Sequence, residues 1–178
     1  SVLAKGQTKI LNAAREPEIS DLCNMLIKMG AEIDGVGTKK IIIKGKKQLE
    51  GCTYKIMPDR IESGTFVLCV FGCTGTVLLK NLNMEVCNHL IKIFKKLISL
   101  ELKILKEGRN LLVKRLNDKK LCLSIKTKEY PGFPTDLQAQ LTSALLKTKG
   151  KSEIEENIFE NRVMHISELI RMGAKLRQ

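Results

Sequence analysis

The chain has 178 residues but no tryptophan, two tyrosines, five phenylalanines and four prolines. Because the bases of single-stranded nucleic acids stack on aromatic side chains, this scarcity argues against a stacking platform for nucleic acid. Long apolar runs are also missing: the longest uncharged apolar stretch, residues 66–71, is far too short to cross a bilayer. No basic segment followed by an apolar one opens the chain. We therefore expect neither a transmembrane segment nor a secretory signal.

The cysteines and histidines lack the spacing of metal ligands. The chain has no Cys-x-x-Cys pair, and His89 and His165 lie 76 residues apart, so we expect no metal. Four of the six cysteines lie within apolar runs, where a free thiol behaves as a small hydrophobic group. We expect all six to be reduced and mostly buried, and the protein to be cytoplasmic. They are Cys23, Cys52, Cys69, Cys73, Cys87 and Cys122.

Positive charge is in excess, since 31 lysines and arginines against 19 aspartates and glutamates give a net charge of +12. This charge favours an anionic partner without identifying it. The lysine pairs lie beside apolar segments, which is typical of solvated faces around short strands and helices. With 43% hydrophobic and 28% charged residues, the composition is that of a globular protein with one or two domains.

One apolar segment recurs along the chain. The sequence LIKMGAEI, at residues 26–33, returns as LIRMGAKL at residues 169–176, and a degenerate copy lies at residues 97–104. The copies begin 71 and then 72 residues apart. A short predicted strand, introduced by glycine, precedes each copy at residues 6–10, 75–79 and 150–154. The sequence therefore predicts two full repeated units and the start of a third.

Helices and strands alternate within each unit. Apolar residues at helical spacing predict exposed amphipathic helices at residues 17–29 and 84–98. More uniformly apolar helices, predicted at residues 61–71 and 137–146, are typical of interior positions. Strands are predicted at residues 40–44, 53–57, 111–114 and 121–126. The pattern indicates a repeated α/β unit with one exposed and one interior helix.

Four motifs stand out, at residues 12–22, 58–66, 130–140 and 158–165. In this order they closely resemble motifs of the UDP-N-acetylglucosamine 1-carboxyvinyltransferases, which are enolpyruvyl transferases. The related EPSP synthases share the fold but not these motifs. The resemblance implies two lobes, each an inside-out α/β barrel of repeated units, with substrates bound in the cleft between them. It also implies that this chain is a central segment. Residues 1–57 would finish the first lobe, and residues 58–178 would form most of the second.

The resemblance implies transfer of the enolpyruvyl group of phosphoenolpyruvate to the 3′-hydroxyl of UDP-N-acetylglucosamine, with release of phosphate. This is the first committed step of peptidoglycan synthesis, on which cell wall biogenesis, cell shape and cell division depend. It implies no cofactor, no nucleic acid and no membrane, and it leaves the oligomeric state open. The family's reactive cysteine would lie upstream of Ser1, so the segment alone is expected to be inactive. The competing hypothesis is a non-catalytic basic module that binds a nucleotide sugar or nucleic acid.

Three candidate site residues come from the last two motifs. The family counterpart of Asp136 faces the 3′-hydroxyl and either takes its proton or orients it. As a first-turn carboxylate beside Thr135 as N-cap, Asp136 also suits a helix N-terminus. Ile158 resembles the residue whose backbone contacts the acetamido group. Arg162 could bind the phosphate or carboxylate of phosphoenolpyruvate, and the structural alternative is an ion pair with Glu160 or Glu168.

The remaining candidates are less specific. Arg60, Glu16 and Glu18 lie in matching motifs near the expected lobe junction, where substrate contact and structural pairing are both open. His165 has no visible partner and is expected to be structural. The prolines at positions 131 and 134 predict a stiff turn that aims Asp136.

Overall fold

The structure is a computed structural model that describes residues 1–73, 75–97, 102–107, 109–115 and 122–178. Within it the chain forms two compact units, Ser1–Met57 and Pro58–Gln178. None of the described helices combines the length and the apolar composition that a membrane span needs.

The first unit is a three-stranded antiparallel sheet with one helix. Its elements are β1 (Gln7–Leu11), α1 (Pro17–Lys28), β2 (Glu32–Asp34) and β3 (Lys40–Lys44), and β3 lies between β1 and β2. Ile41 and Ile43 of β3 are buried between exposed lysines, as expected for a strand with one face on a core. Helix α1 begins at the predicted proline and ends before Gly30, whose φ of +94° suits glycine. The predicted amphipathic helix is therefore confirmed.

The predicted strand at residues 53–57 is wrong, because this segment forms no strand. It is held against α1 by side chains instead. The Tyr54 hydroxyl donates to the Asp21 carboxylate at 2.9 Å, and the Met57 N–H donates to the same carboxylate at 3.3 Å. Lys28 Nζ donates to the Thr53 carbonyl at 2.6 Å. These contacts satisfy backbone groups that a strand would pair in a sheet.

The second unit repeats this topology. Its strands β4 (Thr76–Leu79), β5 (Leu102–Glu107) and β6 (Asn110–Arg115) form an antiparallel sheet with β6 in the middle, and α3 (Met84–Leu97) connects β4 to β5. The order strand, helix, strand, strand, with the last strand central, is the same as in the first unit. This agreement confirms the repeated α/β unit.

A third copy of the pattern begins in the last third of the chain. Strand β7 (Ser124–Lys126) pairs in parallel with β8 (Glu153–Glu155), and the amphipathic helix α5 (Met164–Arg171) follows. Residue 121 of the predicted strand and residues 98–101 of the middle sequence repeat lie outside the described residues.

Two interior helices lie at the core of the second unit, as predicted. Helix α2 (Arg60–Gly72) packs against α4 (Gln138–Leu145), which follows a 3-10 turn at Thr135–Leu137. A Cβ on Gly64 would lie 2.5 Å from Leu137 Cδ1, so glycine permits the close approach. The largest fully buried apolar side chains around them are Phe71, Phe94, Leu68, Leu111, Leu137 and Leu141.

The expectation that the cysteines are mostly buried is wrong. Cys23 and Cys87 are buried, but Cys52, Cys69, Cys73 and Cys122 are exposed. Apolar neighbours in sequence do not decide which side of a helix faces inward: Leu68 and Val70 of α2 are buried, and Cys69 between them is exposed.

The N-terminus of α2 offers a direct test of local stability. Asp59 caps this helix, since its carboxylate accepts hydrogen bonds from the N–H groups of Ile61 at 2.7 Å and Glu62 at 3.2 Å. Asp59→Ala is expected to lower the free energy of unfolding by about 1 kcal/mol in urea denaturation, because both N–H groups lose their acceptor. Asp59→Asn keeps a capping oxygen and serves as the control. Equal losses in the two variants would contradict this role of the cap.

Candidate functional site

Asp136 and Arg162 meet in a cleft of the second unit. Arg162 Nη1 lies 2.8 Å from Asp136 Oδ1. The cleft is wide open to solvent and has a volume of about 680 Å³. Its walls are Asp136, Ile158, Phe159, Glu160, Asn161 and Arg162. The three candidates from the last two motifs therefore lie together, although Asp136 and Arg162 are 26 positions apart in the chain.

A closed turn leads into Asp136. The Lys128 N–H donates to the Phe133 carbonyl at 2.9 Å, and the Gly132 N–H donates to the Glu129 carbonyl at 2.7 Å. A Cβ on Gly132 would lie 2.4 Å from Lys128 Cβ, so the turn closes around a glycine. Phe133 is buried at its end. These contacts fix the backbone just before the 3-10 turn that carries the carboxylate.

The expected N-cap at Thr135 is wrong. The 3-10 turn begins after Pro134, and no side-chain cap hydrogen bond is found there or at the start of α4 in the described structure. The Thr135 hydroxyl donates instead to Glu156 Oε2 at 2.9 Å. A capping oxygen must come from the residue before the helix, and Thr135 is already the first residue of the turn. Its oxygen accepts from Arg162 Nη1 at 3.0 Å instead of from a backbone N–H.

Arg162 has three neighbours in the site. Its Nη1 donates to Asp136 and also to Thr135 Oγ1 at 3.0 Å, and its guanidinium lies 5.3 Å from the centre of the Phe159 ring. The alternative ion pairs with Glu160 and Glu168 are not found among the described residues, and Glu168 pairs with Arg171 at 3.2 Å. The guanidinium is thus held at the cleft by the Asp136 carboxylate and the Thr135 hydroxyl.

Glu156 holds the loop that forms the opposite wall. Its Oε1 accepts hydrogen bonds from the N–H groups of Ile158 at 2.9 Å and Phe159 at 3.1 Å, and from the Thr127 hydroxyl at 2.9 Å. Burial alone would raise the pKa of Glu156, but these hydrogen bonds and the one from Thr135 outweigh it and lower the pKa. The carboxylate is therefore ionised at neutral pH.

His165 belongs to helix α5 and is neutral at neutral pH. Burial, and then the positive charge of Arg162, lower its pKa. Its Nε2 is buried and has no hydrogen-bond partner in the described part of the chain. The structural role expected for His165 stays a prediction.

Arg60 lies outside the cleft walls. It is 4% exposed, and its guanidinium lies 5.7 Å from the centre of the Tyr130 ring. His89 packs edge-on against the same ring, with centroids 5.4 Å apart. Contact between Arg60 and the substrate stays a prediction. Glu16 and Glu18 belong to the first unit, at the start of α1.

Sequence reasoning missed Glu156 and the part that Phe159 plays in the cleft wall. The Thr127 hydroxyl that binds Glu156 is 29 positions away, and no local pattern links the two residues. Among the described residues, no group of three or more His, Cys, Asp or Glu side chains has an arrangement suited to a metal ion.

Comparisons with known proteins identify relatives along the whole chain. Residues 1–178 match the family described as EPSP synthase (3-phosphoshikimate 1-carboxyvinyltransferase). The chain is 49% identical over 178 residues to UDP-N-acetylglucosamine 1-carboxyvinyltransferase 2 of Carboxydothermus hydrogenoformans, and the match covers 99% of this chain and 42% of that protein. It is 46% identical over 176 residues to UDP-N-acetylglucosamine 1-carboxyvinyltransferase of Rickettsia felis, covering 99% of this chain and 41% of that protein. The chain thus spans about two fifths of these relatives' length.

A solved structure gives the same fold. The enolpyruvyl transferase NikO from Streptomyces tendae matches with a TM-score of 0.75 and 19% sequence identity, over 95% of this chain and 40% of that chain. At this identity the likeness concerns the fold alone. It confirms the predicted enolpyruvyl transferase fold.

Proposed function

The chain belongs to the EPSP synthase family, and from this membership we propose that the full-length protein is a UDP-N-acetylglucosamine 1-carboxyvinyltransferase. It transfers the enolpyruvyl group of phosphoenolpyruvate to the 3′-hydroxyl of UDP-N-acetylglucosamine and releases phosphate, as the first committed step of peptidoglycan synthesis. The observation that carries this proposal is the Asp136–Arg162 pair, 2.8 Å apart in an open cleft that Ile158 also lines. Relatives that are 46–49% identical and carry this name support it.

Asp136 acts on the attacking hydroxyl. Its carboxylate is 52% exposed, and its backbone is fixed by the closed turn before it, so an incoming hydroxyl can donate to a positioned acceptor. The 3′-oxygen bonds to C2 of phosphoenolpyruvate while the methylene carbon takes a proton. The resulting tetrahedral intermediate loses phosphate when the C2–O bond breaks and the methyl group gives up a proton.

Arg162 supplies the positive charge. Its guanidinium is 37% exposed and points into the cleft beside Asp136, where it can bind the phosphate or carboxylate of phosphoenolpyruvate through two donors. Charge that develops on the leaving phosphate is stabilised by this fixed cation. The ion pair with Asp136 holds both side chains in place before substrates bind.

Ile158 contributes its backbone. Its N–H already donates to Glu156, so the carbonyl oxygen is the group that accepts the acetamido N–H of the sugar. The side chain is 38% exposed at the cleft wall and limits the space beside the acetamido methyl group.

Residues 1–57 finish the first lobe of this enzyme and residues 58–178 form most of the second. The support is the repeated strand order of the two sheets, together with the division of the chain after Met57. The substrates imply a cytoplasmic enzyme. Because the segment spans about two fifths of its relatives, we expect residues 1–178 alone to be inactive.

The test is phosphate release from phosphoenolpyruvate by the full-length protein, with UDP-N-acetylglucosamine or shikimate 3-phosphate as the acceptor. We expect release with the nucleotide sugar only, and none from residues 1–178 alone. Release with shikimate 3-phosphate only would show that this protein uses shikimate 3-phosphate, and not the nucleotide sugar, as its acceptor. Release with neither, combined with binding of nucleic acid that weakens steeply with salt, would favour the non-catalytic basic module.

Arg162→Lys tests the guanidinium directly. Lysine keeps the charge but loses the planar fork of donors, so kcat/KM for phosphoenolpyruvate is expected to fall about tenfold in steady-state kinetics. Arg171→Lys is the matched control, because Arg171 is 80% exposed on α5 and pairs only with Glu168 among the described residues. Equal kcat/KM in the Arg162→Lys variant and the wild type would exclude a role for bidentate binding.

A further inference from the structure

We propose that Glu156 is a positioning residue of this site, which orients the Thr135 hydroxyl toward Arg162 and fixes the backbone of the loop at Ile158 and Phe159. Its effect on catalysis rests on the proposed function, and its effect on the loop does not. No motif of the sequence analysis includes Glu156.

Donors from several segments of the chain converge on the Glu156 carboxylate. Glu156 accepts four hydrogen bonds, from two backbone N–H groups of the loop and from the hydroxyls of Thr127 and Thr135. The Asn157 N–H donates to Thr127 Oγ1 at 2.8 Å and closes the network on the other side. Three separate segments, at residues 127, 135 and 156–159, are thus joined by one side chain.

The hydrogen bonds that join Arg162, Thr135 and Glu156 have only one possible direction. A guanidinium donates and never accepts, so Thr135 Oγ1 must accept from Arg162. The single proton of that hydroxyl is then free to point at Glu156 Oε2, which accepts it. Because the Thr135 proton points at the ionised carboxylate, a lone pair of the Thr135 oxygen is left to accept from Arg162. Arg162 also donates to Asp136.

A neutral amide cannot replace this carboxylate. With its oxygen toward the loop, a glutamine at position 156 would present N–H groups to Thr135 and reverse the order of donors. With its oxygen toward Thr135, it would present N–H groups to the N–H groups of Ile158 and Phe159. In the first orientation the Thr135 proton loses its acceptor and no longer fixes the hydroxyl, and in the second the two loop N–H groups lose theirs.

The kinetic test uses the full-length protein with phosphoenolpyruvate and UDP-N-acetylglucosamine. Thr135→Val removes the hydroxyl that joins Glu156 to Arg162 and leaves the three hydrogen bonds of Glu156 Oε1 in place. We therefore expect kcat to fall about tenfold with KM unchanged, and Thr135→Ser to recover the loss. Glu156→Gln also loosens the loop, so kcat falls similarly and KM for the nucleotide sugar rises about tenfold. The double variant is expected to be no worse than Glu156→Gln alone.

Glu155→Gln is the matched control. Glu155 is the adjacent carboxylate, 48% exposed and ion-paired with Lys126, and it is not one of the residues that line the cleft. Its kinetics are expected to match the wild type. Additive losses in the double variant, or equal losses in Glu155→Gln and Glu156→Gln, would overturn the proposal. If Glu156→Gln does not fold, the comparison of Thr135→Val with Thr135→Ser tests the proposal instead. Equal activity of these two variants would overturn the proposal.

A measurement that needs no activity separates this inference from the proposed function. Amide proton shifts of Ile158 and Phe159 in the full-length protein report hydrogen bonds to a carboxylate. Both are expected to move upfield in Glu156→Gln and to stay in place in Glu155→Gln. Unchanged shifts in Glu156→Gln would overturn the positioning role even in an active enzyme. If both protons move upfield in a protein that does not transfer the enolpyruvyl group, the loop contacts of Glu156 stand and only the proposed function is wrong.

Discussion

Asp136→Asn in the full-length protein is expected to lower kcat by about a hundredfold to ten-thousandfold, with the KM values for both substrates nearly unchanged. Asparagine has the size of aspartate and keeps an oxygen that can accept from Arg162 at the position of Oδ1, which lies 2.8 Å from Nη1. It cannot take a proton from the 3′-hydroxyl. The substitution therefore removes the chemistry of the carboxylate and leaves its geometry in place. Steady-state phosphate release measures the effect.

The control for this variant is Asp34→Asn. Asp34 is an exposed aspartate at the end of β2 in the first unit, and it lies outside the cleft walls. It is expected to keep the wild-type kcat. A kcat of Asp136→Asn within tenfold of the wild type, in a protein with unchanged thermal stability, would show that Asp136 is not the residue that acts on the hydroxyl.

Phe71→Ala is expected to lower the free energy of unfolding by about 3–5 kcal/mol, because it leaves a cavity in the centre of the second unit. Phe71 is 0% exposed and lies in the cluster formed by α2, α3, α4 and β6. Arg115 lies against its ring, 5.8 Å from the centroid, and donates to its carbonyl at 2.7 Å. Urea denaturation followed by circular dichroism measures the loss.

Phe66→Ala is the matched control on the same helix. Phe66 is 45% exposed, so its removal creates no closed cavity, and the expected loss is about 1 kcal/mol. The two variants have the same change in side chain and the same change in helix propensity. Losses of equal size would mean that α2 is not the interior helix described here.

The helices were predictable because their signals are local. Apolar spacing and a glycine stop define α1, and the uniformly apolar stretch of α2 predicts its interior position. Residues 53–57 have the composition of a strand, but Asp21, more than 30 positions away, binds Tyr54 and Met57 and holds the segment in an irregular form. Tertiary contacts of this kind override local propensity.

The site was predictable only where a family motif includes its residues. Asp136, Ile158 and Arg162 come from two such motifs, and the structure brings them to one cleft. Glu156 follows β8 directly, and its role depends on hydroxyls that come from other parts of the chain. The direction of a hydrogen bond has no signature in sequence, so this part of the site required coordinates.

The most direct test of the central claim follows carbon rather than phosphate. The full-length protein is incubated with phosphoenolpyruvate labelled with carbon-13 at C2 and with UDP-N-acetylglucosamine, and the product is analysed by NMR. We expect one labelled enol ether at the 3′-oxygen of the sugar for each phosphate released. Phosphate released without that ether, or label attached at another position of the nucleotide sugar, would contradict the assignment of the cleft at Asp136 and Arg162 to enolpyruvyl transfer.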